Sequence, residues 1–157
     1  MKRIYIIILG VLLTAAFSCK KPEVAVLIPT ISYLNYQHLY DINNHDTTGI
    51  LQLYFTDGNG NLGMNQDDTG ADFFSTLYIK KNGAWVDDSQ YFDYRLPYLV
   101  GQGVDGTLKG EIDITFNNII VTTFPGTRPD TIEFQCYIVD RSGNASNTIF
   151  TPQIIIQ

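Results

Sequence analysis

From about residue 24 onward, apolar and polar residues alternate in short runs separated by turn formers. No window keeps the three-to-four-residue spacing of an amphipathic helix, so the pattern predicts strand after strand. Residues 24–28 start the series and Pro29 interrupts it, as suits an edge strand or a change of sheet. Residues 31–42 are rich in aromatics without clean alternation. Residues 50–56 alternate cleanly, with Leu51, Leu53 and Phe55 on one face and Gln52, Tyr54 and Thr56 on the other, the mark of a half-buried strand. A polar loop, 57–71, leads to a strand over 72–81. Asn82-Gly83 then supplies the two left-handed positions of a type I′ hairpin, and 84–87 returns.

In residues 92–99 the alternation groups Phe92, Tyr94, Leu96 and Tyr98. After a glycine-rich loop, residues 111–116 bury Ile112, Ile114 and Phe116, and 119–124 form a further apolar strand. The proline-rich stretch 124–129 is a connection. Residues 131–139 read as a central strand, 140–144 as a turn, and 147–156 as a last strand that Pro152 confines to an edge or a bulge. About seven to nine strands at this spacing predict an all-β, two-sheet antiparallel sandwich.

The first residues follow another pattern. Met1-Lys2-Arg3 is cationic, residues 4–17 are apolar apart from Gly10 and Thr14, and Ser18 precedes Cys19. As a helix that apolar run would extend roughly 21 Å, short of the bilayer core of about 30 Å. The order is that of an export signal, and Ala16-Phe17-Ser18-Cys19 resembles the lipobox of bacterial lipoproteins, with Ala16 where Leu is usual. The resemblance implies cleavage before Cys19 and acylation of its thiol. Residues 1–18 are then a leader, 19–23 a lipidated tether, and 24–157 one domain. Two or three acyl chains hold a protein on a membrane at about 0.8 kcal/mol per buried CH₂. By the enterobacterial sorting rule Lys20, which is not Asp, favours the outer membrane, on either face.

Removing 18 of 157 residues leaves 139, enough for one core. The loss of Lys2 and Arg3 lowers the basic count from 10 to 8 against 16 acidic residues, a net charge of −8. Such a chain gains nothing from counterion release, which argues against nucleic acid as a partner. With Cys19 committed to lipid, Cys136 has no disulfide partner. Alternation sets it beside Phe134 and Ile138 as a buried structural thiol.

Catalytic signatures are sparse. His38 and His45 are the only histidines, there is no Gly-x-Ser-x-Gly or His-Glu-x-x-His, and Asp67-Asp68 and Asp87-Asp88 are sequence neighbours in turns. The expectation is a non-enzymatic protein. Loop 57–71 carries a metal candidate: Asp57, Asn59 and Asn61 fall at positions 1, 3 and 5 of an acidic calcium loop, with Asn65 at 9, Asp68 at 12, and Asp67 or Asp140 as extra ligands. Position 6 is Leu62 instead of glycine, and Asp, Asn and Gly also serve simply as turn formers. In the hairpin, Lys80 pairs with Trp85 and Ile79 with Val86. Leu77, Ile79 and Val86 are the core face, which leaves Tyr78 and Trp85 partly exposed as candidates for stacking on a sugar or anchoring a protein. The plainer reading, favoured because single exposed aromatics are common, is that Trp85 covers the Lys80 stem or sits under a loop. Asp46-Thr47-Thr48 and Asp130-Thr131-Ile132 resemble Bacteroidetes O-glycosylation acceptors.

Three stretches carry a wider likeness: Tyr54-Phe55-Thr56-Asp57-Gly58-Asn59-Gly60-Asn61-Leu62-Gly63, Tyr94-Arg95-Leu96-Pro97, and the ending from Tyr137 through Asp140-Arg141-Ser142-Gly143-Asn144 to Asn147. With the lipobox they resemble small immunoglobulin-like lipoproteins of the Bacteroidetes type. The resemblance implies an Ig-like or fibronectin-like sandwich in the cell envelope and carries no activity with it. A binding or assembly module is the first expectation, a glycan-binding accessory lipoprotein the second, and a hydrolase a distant third.

Overall fold

A computed structural model describes residues 27–40, 46–99, 106–117 and 131–156. The leader, Cys19, the tether, His45, Asp130, the expected strand at 119–124 and the connection after it lie outside those residues, as does most of the strand expected at 24–28. The described chain is all-β: β1 (Thr30–Tyr40), β2 (Asp46–Asp57), β3 (Phe73–Lys81), β4 (Ala84–Tyr94), β5 (Leu108–Asn117), β6 (Thr131–Ile138), β7 (Ile149–Phe150) and β8 (Ile154–Ile155). Every pairing is antiparallel. A three-stranded sheet runs β1-β2-β5, and a wider sheet runs β4-β3-β6-β7 with β8 also beside β6.

The two sheets close on the apolar faces that alternation marks out. Leu51, Leu53, Phe55, Ile112, Ile114 and Phe116 come from the narrow sheet, and Phe73, Leu77, Ile79, Ile132, Phe134, Cys136 and Ile138 from the wide one. At the centre Phe116 of one sheet stacks on Phe134 of the other, centroids 4.5 Å apart and planes 5° from parallel, and Phe92 meets Phe116 edge-on at 5.3 Å. Full burial of each such ring contributes about 1.5–3 kcal/mol, so this cross-sheet stack binds the two layers. Burial pushes the Cys136 thiol up to about 12, which leaves it protonated within the core.

The irregular aromatic segment resolves into one long strand with a bulge. Register slips between Tyr33 and Asn35, so Leu34 is extra and exposed. The inward parity passes from Ile31 and Tyr33 to Tyr36, which lies across from Leu51. Gly49 makes room for Tyr36, whose hydroxyl oxygen would be 1.7 Å from any Cβ there.

Three other expectations change. The strand expected at 92–99 ends at Tyr94, as the end of a longer β4, and Leu96 is buried while Tyr98 is exposed. Val86 pairs with Ile79 as expected but is 40 % exposed, because β4 is the outermost strand of the wider sheet. The last strand divides around Pro152 into β7 and β8. Between them, Thr151 joins β6 by its N–H to the Phe134 carbonyl (2.9 Å) and by its hydroxyl, which accepts from the Phe134 N–H (3.0 Å).

Candidate functional site

Two regions concentrate chemistry: a polar pole where β2 and β6 end, and the outer face of the wide sheet. At the pole, β2 finishes on Asp57, and the following loop folds back so that the Asn61 N–H donates to Asp57 Oδ2 at 2.8 Å. Gly60 takes φ 63° and Gly63 φ 80°, conformations that glycine adopts without cost. Gly63 also lies against backbone, since a Cβ there would fall 1.8 Å from the Pro97 carbonyl oxygen. After β6, the Asp140 carboxylate shapes the second turn. Its Oδ1 accepts from the Ser142 and Asn144 backbone N–H groups, each at 2.8 Å, and Oδ2 accepts from the Asn144 side chain at 2.8 Å. The Arg141 N–H donates to the Asn61 carbonyl at 3.1 Å, so the two turns meet.

Arg141 locks this corner. Its Nη1 donates to the carbonyls of Leu62 (2.7 Å), Gly63 (2.9 Å) and Leu99 (3.2 Å), and its guanidinium carbon lies 4.1 Å from the Tyr98 ring centroid. A planar fork with charge suits this combination of carbonyls and aromatic face. A pocket of about 390 Å³ opens beside it, lined by Met64, Asn65, Asp68, Asp72, Asp140 and Arg141.

Three aspartates are buried here: Asp57, Asp72 and Asp140, at 0, 2 and 5 % exposure. Asp57 Oδ1 and Asp72 Oδ2 accept no hydrogen bond. Desolvation raises the Asp57 carboxyl above the ordinary range, and the nearby Asp140 charge adds to this. The Asn61 and Asn59 backbone amides and Arg141 oppose it. Desolvation likewise raises Asp72, although the Leu96 N–H donates to its Oδ1 at 2.6 Å.

Of the calcium candidates, the structure brings Asp57, Asn59, Asn61 and Asp140 together. One terminus of the Asn61 amide lies 3.2 Å from Asp57 Oδ2, 2.6 Å from Asn59 Oδ1 and 3.2 Å from Asp140 Oδ2. Asp68, at the expected twelfth position, instead closes its own turn, its Oδ2 accepting from Asn65 N and Nδ2 at 2.8 and 3.1 Å. Asp67 is exposed. Asp87 accepts from the Ser89 N–H at 2.7 Å and Asp88 lies 3.9 Å from Lys81, so neither joins the pole. His38 packs edge-on against Tyr36 on β1. Asp72 and Arg141 escape sequence reasoning as members of the pole: Asp72 precedes a strand with no motif around it, and Arg141 lies in the Asp-Arg-Ser-Gly-Asn turn, whose likeness assigns it no role.

The outer face of the wide sheet carries the aromatic candidates and more. Register sets Phe74 beside Tyr137, Thr76 between Tyr91 and Gln135, Tyr78 beside Glu133, and Lys80 beside Trp85. Phe150 joins opposite Gln135, its ring 5.8 Å from that of Tyr78. Tyr91 and Ile155 are each 64 % exposed and Phe150 53 %. Phe74 and Tyr137 stack at 5.0 Å with planes 14° apart, so each covers a face of the other. The Lys80 ammonium lies 5.6 Å from the Trp85 ring centroid, and that ring is half-buried.

No family model matches the chain, and neither a curated protein nor a solved structure matches it. Among the described residues no helix is long and apolar enough to cross a membrane.

Proposed function

We propose that this protein is a lipid-anchored envelope lipoprotein whose immunoglobulin-like sandwich is a non-enzymatic binding or assembly module, docking a basic protein surface on the outer face of its wide sheet. The observation that carries the reading is that face. An antiparallel sheet normally turns polar residues to water, yet this one presents Tyr78, Tyr91 and Phe150 on the same face as the stacked Phe74–Tyr137 pair, with Ile155 at the far end beside Thr131. Large exposed aromatics are the residues that dominate protein interfaces. Asp87, Asp93 and Glu133 stand on the same face against the single Lys80, which supports a partner of opposite charge. Mutual stacking of Phe74 and Tyr137, and Lys80 over Trp85, leave fewer free ring faces for a sugar than the number of aromatics suggests.

The test is a photo-crosslinking amino acid at Tyr91 or Phe150 in the native envelope. One discrete protein adduct is expected, weakened by salt and lost when Tyr78→Ala and Ile155→Ser are added. Binding on a glycan array that is sensitive to Trp85→Ala would replace the protein partner by a sugar. Anchoring is checked separately by mass spectrometry of the N-terminal peptide, where Cys19 carrying acyl chains is expected and Cys19→Ser leaves residues 1–18 attached.

A further inference from the structure

We infer that Glu133 is the anchor of the partner surface on the wide sheet, and that it receives an arginine side chain of the partner beside the Tyr78 and Phe150 rings. The inference rests on the proposed docking of a basic protein on that face, and it names the group by which the partner is read. Alternation along β6 turns Glu133 outward, because Ile132 and Phe134 fill the core. One row of the sheet then runs Asp87, Tyr78, Glu133, so a tyrosine ring stands between two carboxylates. That ring meets Phe150 of β7 on the far side of β6, centroids 5.8 Å apart and planes at 58°. Lys80, next along β3 on the same face, also reaches across β6. Its ammonium donates to Gln153 Oε1 at 3.3 Å and lies 5.6 Å from the Trp85 ring centroid. Among the described residues Glu133 accepts no hydrogen bond and forms no ion pair, since the neighbouring cation is turned to Gln153 and Trp85.

The surroundings select arginine over lysine. Glu133 is half-buried, and desolvation raises its carboxyl while the Lys80 charge opposes the rise. A carboxylate in that state gains most from a donor that itself leaves water easily. A guanidinium is more weakly hydrated than an ammonium, offers a carboxylate two parallel N–H bonds, and stacks on an aromatic face. Glu133 supplies both oxygens, and Phe150, 53 % exposed, supplies a ring beside them. The molecule already uses this combination internally, where the Arg141 guanidinium lies 4.1 Å from the Tyr98 ring centroid and donates to three carbonyls. Lys80 works against any incoming cation, so Asp87 and Asp93 on the same face are needed to draw one in. Trp85 is not the anchor on this reading, because Lys80 lies over its ring. Arginine and large aromatics are also the residues that carry most of the energy at protein interfaces.

The test is an NMR titration of the isotope-labelled full chain in detergent with N-acetyl-arginine amide, and in parallel with the lysine and the uncharged citrulline derivatives. The arginine derivative is expected to shift the backbone amide signals of Tyr78, Glu133 and Phe150 saturably, about threefold more tightly than the lysine derivative, with no shift from citrulline. Glu133→Gln keeps the shape and should abolish these shifts. Lys80→Gln removes the opposing charge and should tighten binding about twofold. Asp113→Asn, on the outer face of the narrow sheet, should respond as the parent does. Shifts spread over the carboxylates of both sheets, shifts that persist in Glu133→Gln, or equal binding of the lysine derivative would overturn the arginine anchor. The photo-crosslink at Tyr91 separates this inference from the docking reading beneath it. An adduct formed at parent yield in Glu133→Gln keeps the docking face and overturns the anchor. Glu133-dependent arginine shifts without any adduct keep the site and overturn the docked protein.

Discussion

The pole and the outer face of the wide sheet are built on opposite principles. At the pole, charged groups are withdrawn from water and held by backbone: Asp57 and Asp140 brace tight turns, and Arg141 gathers three carbonyls. On the outer face, aromatic rings that a core would welcome stand partly in water. The first region is organised by what it must satisfy internally, the second by what it leaves unsatisfied. Substitutions should therefore change stability at the pole and recognition on the sheet.

The largest expected effect is at Arg141. Arg141→Ala leaves the carbonyls of Leu62, Gly63 and Leu99 without their charged donor in a region where Leu62 is fully buried. A loss of about 3 kcal/mol is expected, read from the urea midpoint at constant m-value. Arg141→Lys should recover only a minor part, since a single ammonium lacks the planar fork that also stacks on Tyr98. Full rescue by Lys would mean that charge alone holds the corner.

Next in size is the pH response. The Asp57 and Asp72 carboxyls have raised folded-state values, so between the unfolded and folded titrations the native protein holds more protons than the unfolded chain. Stability from these two groups falls as pH rises through that window and is highest below it. The melting temperature should therefore climb as pH is lowered from neutrality toward the carboxylate range. Asp72→Asn, which replaces the unpartnered Oδ2 by an amide nitrogen, should flatten that climb. A profile equally steep in Asp72→Asn would remove Asp72 from its origin.

The smallest expected change in stability is on the outer face. Tyr91→Ala removes an exposed ring from the outermost strand and should shift stability by less than about 0.5 kcal/mol. If it destabilises as Arg141→Ala does, the contrast between the two regions fails.

How far each region was legible follows from the range of the contacts that build it. The Asn82-Gly83 turn and the Lys80–Trp85 pair are local, and both appear at the expected register, with Asn82 and Gly83 at φ 52° and 81°. The alternation in β2, β5 and β6 likewise names their buried faces correctly. Strand β1 was harder because the extra Leu34 reverses its parity midway, and a bulge has no compositional mark of its own. The loop aspartate and asparagines are visible as a spacing, and Asp140 is among the expected extra residues, but its place beside them is set by the packing of one sheet on the other, while Asp68 at the counted position turns to Asn65. The aromatic face was visible only in its hairpin half. Tyr91 reaches it across the two extra residues of β4, Asp88 and Ser89, and Phe150 through a two-residue strand.

One side chain links the beginning of the described chain to its end. Asn147 accepts the Ile31 N–H at Oδ1 and donates Nδ2 to the Ile31 carbonyl, both at 2.9 Å. A pull on the N-terminal end of β1 therefore meets the Thr30–Thr56 hydroxyl contact and then this two-point clasp before it can peel the rest of the strand from β2. The clasp therefore shares any strain on the start of β1 with the segment that precedes β7, and so ties the first strand of the narrow sheet to the closing strands of the wide one.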